Sequence, residues 1–258
     1  MKIAVDHLTL KLNNRPILKN ISLELNPNKL IMLLGENGAG KTQFIKTVLG
    51  FQHPDRGNIF YGDKNIKQLS LNERAKQIAY VSQEADPGVR YRVWELISMG
   101  HTPHINFFGK PSEKMKRKEK ILMKEIGIWD FRNCFIDEIS GGECRLAYLC
   151  KALVQDTPWL VLDEPTAFLD FKKQHSFLKI LKDLSINQGK GIFMSIHNPS
   201  IATEYGDVLV LFKNGELIDI IDKEKHGYEK LSKALSNLYE HEIVFEDTSK
   251  GKVLIWKE

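Results

Sequence analysis

The run Gly35-Glu36-Asn37-Gly38-Ala39-Gly40-Lys41-Thr42 fits the spacing GxxxxGK[ST]. Glycines at these positions let backbone N–H groups turn inward around phosphate oxygens, and a helix opening behind them adds positive potential. Lys41 is placed to reach terminal phosphates, and the Thr42 hydroxyl to ligate Mg²⁺. Taken alone, the run also fits a glycine loop that binds no nucleotide.

A second segment, Leu160-Val161-Leu162-Asp163-Glu164, delivers two carboxylates at the end of an apolar run. At the carboxyl edge of an α/β sheet, Asp163 can hold Mg²⁺ directly or through water, and Glu164 can polarise an attacking water as general base. The bland alternative is an acidic strand end before the turn at Pro165. A third segment, Ser140-Gly141-Gly142-Glu143, reads as a helix N-cap whose two glycines offer N–H groups to an anion. By itself it is equally an ordinary capped helix.

The surrounding elements must bring these segments together. Lys29–Leu34 is a short apolar run, a buried strand by length, and Gly40–Leu49 has helical character. Gln77–Val81, Trp159–Leu162, Gly191–Ile196 and Val208–Phe212 repeat the short buried-strand pattern, with helices between them. Such alternation predicts a largely parallel sheet covered on both faces. Ile3–Leu25 alternates and breaks at Asn13-Asn14 and Asn26-Pro27, which predicts strands joined by tight turns. Residues 84–153 change character: Arg92–Met99 and Ser112–Ile126 read as helices around a loop, Gly100–Pro111, rich in Pro, Gly, His and Phe. Near the end, Glu242–Asp247 and Lys252–Trp256 form a hairpin pattern around Ser249-Lys250-Gly251.

Composition narrows the classes. The 258 residues, 42% hydrophobic, allow one large α/β domain or a core with an insertion. The longest apolar stretches fall far short of the roughly 20 residues that cross a bilayer, and the first residues predict no signal peptide. Three cysteines without a CxxC pair argue against a disulfide framework or thiolate metal site, and fit a reducing, cytoplasmic setting. The net charge of +4 is a mild excess. The basic run Lys114–Lys124, interleaved with Glu113, Glu119 and Glu125, reads as a solvated helix face with i,i+4 pairs, with lipid head groups as the functional alternative. Cys144 and Cys150 read as packing residues, with a reactive thiol at Cys144, beside the Ser140–Glu143 segment, as the alternative.

Together these segments resemble the ABC ATPases. Ile139–Glu143 is similar to the family signature LSGGQ, with Ile for Leu and Glu for Gln. Gln83 matches the Q-loop glutamine, Asp170 in Ala167-Phe168-Leu169-Asp170 the D-loop, and His197 in Ser195-Ile196-His197 the switch histidine, all in the family's order. The resemblance implies an α/β fold of the P-loop ATPase type: a mostly parallel core sheet with an N-terminal antiparallel β subdomain (1–83 and 154–220), an inserted α-helical subdomain (84–153) and a tail with a β-hairpin (221–258). It implies an ATP site formed by Gly35, Asn37, Gly38, Ala39, Gly40 and Lys41, with Thr42, Gln43, Gln83 and Asp163, and Mg²⁺ on Thr42, Gln83 and Asp163. Glu164 and His197 would be catalytic. Ser140, Gly141, Gly142 and Glu143 would cover the γ-phosphate held by a second copy in a head-to-tail sandwich, and Asp170 would couple the two sites.

One departure is Leu12, which stands where the family usually carries an aromatic side chain against adenine. A weaker base selectivity is expected, unless Arg15 supplies the stacking.

With one phosphate loop, one signature and no membrane-spanning run, the chain is expected to energise a separate permease through its helical insertion, from the cytoplasmic face of the membrane, and to bind no nucleic acid. Val93-Trp94-Glu95-Leu96-Ile97-Ser98-Met99-Gly100-His101-Thr102-Pro103-His104 resembles the importer branch for iron–siderophore, haem and cobalamin, with His101 in place of the branch's arginine. A solute-binding protein would then be an indirect partner. The molybdate/tungstate importers share much of this pattern, and a soluble ABC ATPase of the iron–sulfur-assembly type is the alternative outside transport.

Overall fold

The computed structural model describes residues 1–83, 90–106, 109–167, 169–249 and 251–257. The start of the predicted helical insertion at 84, the pair 107–108 within the 100–111 loop, Phe168 and the hairpin residue Lys250 lie outside the described residues.

The chain opens with β1 (Ile3–Leu12) and β2 (Arg15–Leu25), antiparallel across Asn13 and Asn14, which both take left-handed backbone angles. Asparagine tolerates that region better than most residues, which suits it to a tight turn. β3 (Leu30–Leu34) follows and leads into α1 (Lys41–Val48). Then come β4 (Arg56–Tyr61), the two-residue β5 (Lys64–Asn65), the short α2 (Leu71–Ala75) and β6 (Ile78–Val81). β1 pairs with β4 and β4 with β5, so a four-stranded antiparallel sheet of order β2-β1-β4-β5 forms beside the core.

The helical insertion contains α3 (Val93–Ser98), α4 (Glu113–Ile126) and α5 (Gly141–Val154). Gly100 is where α3's continuation crosses α5: a Cβ there would sit 2.3 Å from the Lys151 carbonyl oxygen, so only glycine permits the approach. On α4 the structure corrects one expectation. Glu119 does not belong to the solvated face. It is 7% exposed, accepts from the Ser98 hydroxyl at 2.9 Å and faces His101 Nε2 at 3.2 Å, itself 2% exposed. A carboxylate is buried only with such partners. The other charges of the run are exposed as expected, but the pairs they make are not i,i+4: Lys116 meets Glu113 three residues away, and Lys118 meets Asp156 beyond the end of α5.

The chain then returns to the sheet as β7 (Trp159–Leu162), α6 (Phe171–Gln188), β8 (Gly191–Ile196), α7 (Pro199–Tyr205) and β9 (Val208–Lys213). β10 (Glu216–Asp222), α8 (Tyr228–Tyr239) and the hairpin β11 (Ile243–Thr248) and β12 (Gly251–Trp256) complete it. The main sheet has the order β10-β9-β3-β8-β7-β6. β9, β3, β8, β7 and β6 run parallel, and β10 closes the edge antiparallel to β9. β10 runs to Asp222, across the 220/221 boundary that the resemblance implied between core and tail.

Every residue of β3, β7 and β8 is buried. Leu30, Met32 and Leu34 pack with the helical insertion, α6 and α8, while Ile31 and Leu33 join α1 and the antiparallel sheet on the other face. That two-sided burial is why the strands read as unbroken apolar runs. The parallel strands β3, β7 and β8 end at one edge, where the loop from Gly35, the pair Asp163 and Glu164, and His197 follow them.

Candidate functional site

β3 hands the chain to residues 35–40, and α1 begins at Lys41. Gly40 caps the helix with φ +96°, a left-handed angle that strains any side chain, and a Cβ there would press on Leu18 at 3.1 Å. Ala39 anchors the loop: its N–H donates to the Glu36 carbonyl (3.2 Å) and its carbonyl accepts from Gly215 (3.1 Å). Lys41 is buried. Its ammonium folds over the loop, donating to the carbonyls of Gly35 (2.8 Å) and Glu36 (3.0 Å), and lies 3.3 Å from His197 Nδ1. Burial pulls its pKa below the ordinary lysine value, and the negative charges of Glu164 and Asp163 oppose that pull. A polyphosphate would supply the counter-charge that burial withholds. Thr42 and Gln43 follow on the first turn of α1, both half-buried. Gln43 Oε1 is buried and finds no hydrogen-bond partner among the described residues.

The carboxylates come from the end of β7. Asp163 is 1% exposed; its N–H donates to the Val81 carbonyl (2.9 Å) and its Oδ1 accepts from the Ser195 hydroxyl (2.6 Å). The same Ser195 oxygen accepts from the N–H of Glu164 (2.8 Å). Ser195, on β8, therefore registers both acidic residues. Glu164 takes a left-handed φ of +46°, a region that costs a non-glycine residue about 1–2 kcal/mol. Strained backbone of this kind is held in place by its surroundings. Here it aims the side chain so that Oε2 accepts from Gln83 Nε2 (2.9 Å) while Oε1 meets His197 Nε2. Lys41 has only protons to give, so His197 Nδ1 accepts and Nε2–H donates to Glu164. Gly35, Glu36, Asn37, Gln83, Glu164 and His197 line one open cleft.

The third segment is built differently. Ser140 caps α5: its hydroxyl accepts from Glu143 N–H (3.4 Å), and the Glu143 carboxylate accepts from Ser140 N–H (2.7 Å). This reciprocal box leaves the first N–H groups of the helix, those of Gly141 and Gly142, without an intrahelical acceptor. Asp170 caps α6 through Lys173 N–H (2.8 Å), and the Lys173 ammonium reaches back to Ser140 Oγ at 3.4 Å. Gly142, Glu143 and Asp170 line a groove separate from the Lys41–Glu164 cleft. The two groups of residues are joined through Arg145, on the second turn of α5, whose guanidinium donates to the Ser82 carbonyl (3.0 Å) and to that of Gln83.

The sequence model of the family described as ABC transporter matches residues 18–167. The chain belongs to that family. It is an ATP-hydrolysing cassette. An uncharacterized ABC transporter ATP-binding protein of Methanocaldococcus jannaschii is 33% identical over 215 residues, 83% of this chain and 84% of the relative. A probable iron chelatin transport ATP-binding protein of Helicobacter pylori is 30% identical, over 84% of this chain and 86% of its own length. The iron(3+)-hydroxamate import ATP-binding protein of Bacillus subtilis is 29% identical, with 84% and 80% covered. The last two names fall in the importer branch that the run from Val93 to His104 resembles. In fold, the ATP-binding cassette of an ABC transporter solved in its ADP conformation superposes with a TM-score of 0.81 at 21% identity, over 93% of this chain and 98% of that one.

Three residues of this ABC cassette's site had no assigned role in the sequence reading. Ser195 lay unread inside the histidine motif. Arg145 lies two residues past the signature segment and carried a signal only as a cation near it. Tyr239, whose ring lines the same cleft, left no signal at all. Leu12 is half-buried at the end of β1 and packs against the core, with exposed Arg15 directly across the strand pair. Cys150 is buried, its thiol pushed up to about 12 by burial and by Glu119, and burial also raises that of Cys144. Cys150 is a packing residue of the core, and in both thiols burial works against the reactive thiolate. Among the described residues, no helix is long and apolar enough to cross a membrane.

Proposed function

We propose that this cassette energises an importer for an iron complex or cobalamin, acting as a head-to-tail pair of copies on a separate permease. The observation that carries the ATPase half is the convergence of Lys41, Gln83, Glu164 and His197 at one sheet edge. The importer half is supported by relatives named for iron chelatin, iron-hydroxamate, haem and cobalamin transport, at 29–32% identity.

ATP would lie with its phosphates on the loop from Gly35 to Gly40, against Lys41. The donor set of Thr42, Gln83 and Asp163 is a hydroxyl, an amide oxygen and a carboxylate, hard oxygen ligands that suit Mg²⁺. Gln83 already gives its N–H to Glu164, which leaves its amide oxygen available to a cation. Bound there, Mg²⁺ would neutralise charge on the β- and γ-phosphates. Glu164 polarises the attacking water, and its hydrogen bonds from Gln83 and His197 orient it without supplying a full counter-charge. His197 turns its Nε2–H from Glu164 toward the γ-phosphate as it binds. The exposed helix end at Ser140, Gly141 and Gly142 serves the ATP of the second copy. Asp170 lies where the two copies meet. Attack breaks the bond between the β-bridging oxygen and the γ-phosphorus, giving ADP and phosphate. With the bridging phosphate gone, the copies separate, and that motion drives the permease.

The test is mild detergent purification of the tagged protein from its native cells, with mass spectrometry of what accompanies it. A polytopic permease and a solute-binding protein are the expected partners, and the binding protein can be screened against ferric siderophores, haem, cobalamin, molybdate and tungstate. A soluble scaffold in place of a permease would overturn the importer reading in favour of the iron–sulfur-assembly type.

A further inference from the structure

Tyr239, the last residue of α8, comes from a part of the chain beyond the family match, yet it stands in the ATP cleft beside Glu36, Glu164 and His197. Its hydroxyl donates to the backbone carbonyl of His197 at 3.3 Å. Burial, together with the nearby charge of Glu36, pushes this phenol up to about 12, so it remains a donor throughout the range in which ATP hydrolysis is measured.

The residue is held from two sides. Lys213, which ends β9 next to the strand leading into the phosphate loop, donates to the Asn237 carbonyl (3.2 Å) and pairs with Glu240 (2.6 Å), fixing the last turn of α8. From the other side the Trp256 ring meets the Tyr239 ring edge-on at 5.3 Å, and His241 touches Trp256 at 6.2 Å. The hairpin that carries Trp256 is itself tied to α8, through Ile243 N–H on Ser236 Oγ (2.9 Å) and the Ile243 carbonyl on Ser232.

His197 needs such an anchor. It stands just past the end of β8, its side chain is 42% exposed, and its ring must choose between Lys41, Glu164 and an incoming phosphate. Fixing its carbonyl restricts where the ring can swing.

We propose that Tyr239 is a positioning residue for ATP hydrolysis, setting the backbone of His197 through its hydroxyl and making the C-terminal hairpin a support of the catalytic centre. The proposal rests on the reading of His197 as the γ-phosphate contact.

The experiment is steady-state hydrolysis of MgATP by Tyr239→Phe, beside a melting curve and the same substitution in a His197→Ala background, with slow rates taken from single turnovers. Tyr239→Phe should lower kcat about fivefold, the factor expected for one neutral hydrogen bond, with KM for MgATP and Tm unchanged. In His197→Ala the same substitution should change the rate by less than about 1.5-fold, because residues acting as one unit are not additive. Trp256→Ala, which removes the ring support and leaves the hydroxyl, should lower kcat in the same direction. A silent Tyr239→Phe, or an equal loss with and without His197, overturns the proposal. A His197→Ala enzyme with wild-type turnover strikes instead at the role given to His197 above, so the two failures are separable.

Discussion

The two parts of this molecule to which the proposed function assigns the phosphates of ATP are made in opposite ways. Around Lys41 and Asp163 the chain builds inward: a buried cation, a buried carboxylate, and a network in which Ser195 serves Asp163 and Glu164 while Gln83 and His197 serve Glu164. Around Ser140 it builds outward, with Ser140, Gly141 and Asp170 all exposed, each helix end closed by its own cap and the two joined by the Lys173 ammonium on Ser140 Oγ. The first part is costly to assemble and needs the whole sheet to hold it. The second is a helix end that any capping box makes, and it gains a purpose only when something is brought to it. The difference teaches that one chain carries a prepared cleft and an open helix end, which suits the proposed completion of the site by pairing.

The largest expected effect comes from the inward half. Glu164→Gln should lower turnover by 10² or more, the usual weight of a general base, while keeping ATP binding and trapping an ATP-bound dimer visible by size-exclusion chromatography. Turnover close to wild type would remove Glu164 from that role. Next, Ser140→Arg should also abolish turnover, but by steric and electrostatic obstruction of the open half. Binding of a fluorescent ATP analogue to the phosphate loop should persist and the ATP-bound dimer should be absent. If that variant still dimerises with ATP, the contrast between the two halves is misdrawn.

Glu119→Ala gives an effect of another kind, in a region belonging to neither half. It strips Ser98 and His101 of their buried partner and should cost about 1–3 kcal/mol, seen as a Tm lower by several degrees, with KM for ATP unchanged. The smallest effect is at Leu12. An aliphatic contact discriminates bases weakly, so ATP and GTP should be hydrolysed with KM values within a few-fold of each other. A wide gap would assign the base to another side chain.

The parallel sheet and the phosphate loop were legible because their signals are local. Runs such as Leu30–Leu34 and Trp159–Leu162 are buried on both faces, and loop glycines announce their own backbone. β4 was harder to see: in Arg56–Tyr61 only Ile59 and Tyr61 are buried, and its strand character depends on pairing with β1, about fifty residues away. α8 carried a helical pattern, with Leu231, Ala234, Leu235 and Leu238 all turned to the core, but it was hidden in a stretch read as a tail. Glu119 was misread for a physical reason. Within Lys114–Lys124 it looks like one more solvated charge, and its partner His101 lies on another element. That same pairing gives an account of the histidine that departs from the branch pattern, since His101 and the buried carboxylate are matched to each other. In the site, the roles of Ser195 and Arg145 depend on which carbonyls and carboxylates the fold brings near them. Periodicity cannot supply that.

The two hydrogen bonds from Arg145 to the carbonyls of Ser82 and Gln83 have a mechanical consequence. They clamp the second turn of α5 to the chain leaving β6, so the helical insertion and the glutamine that touches Glu164 form one rigid link. A rotation of the insertion against the sheet must either carry Gln83 with it or break both bonds. A torque applied to the insertion by whatever docks there therefore arrives, as a displacement, at the Glu164 carboxylate, the group proposed above to activate water.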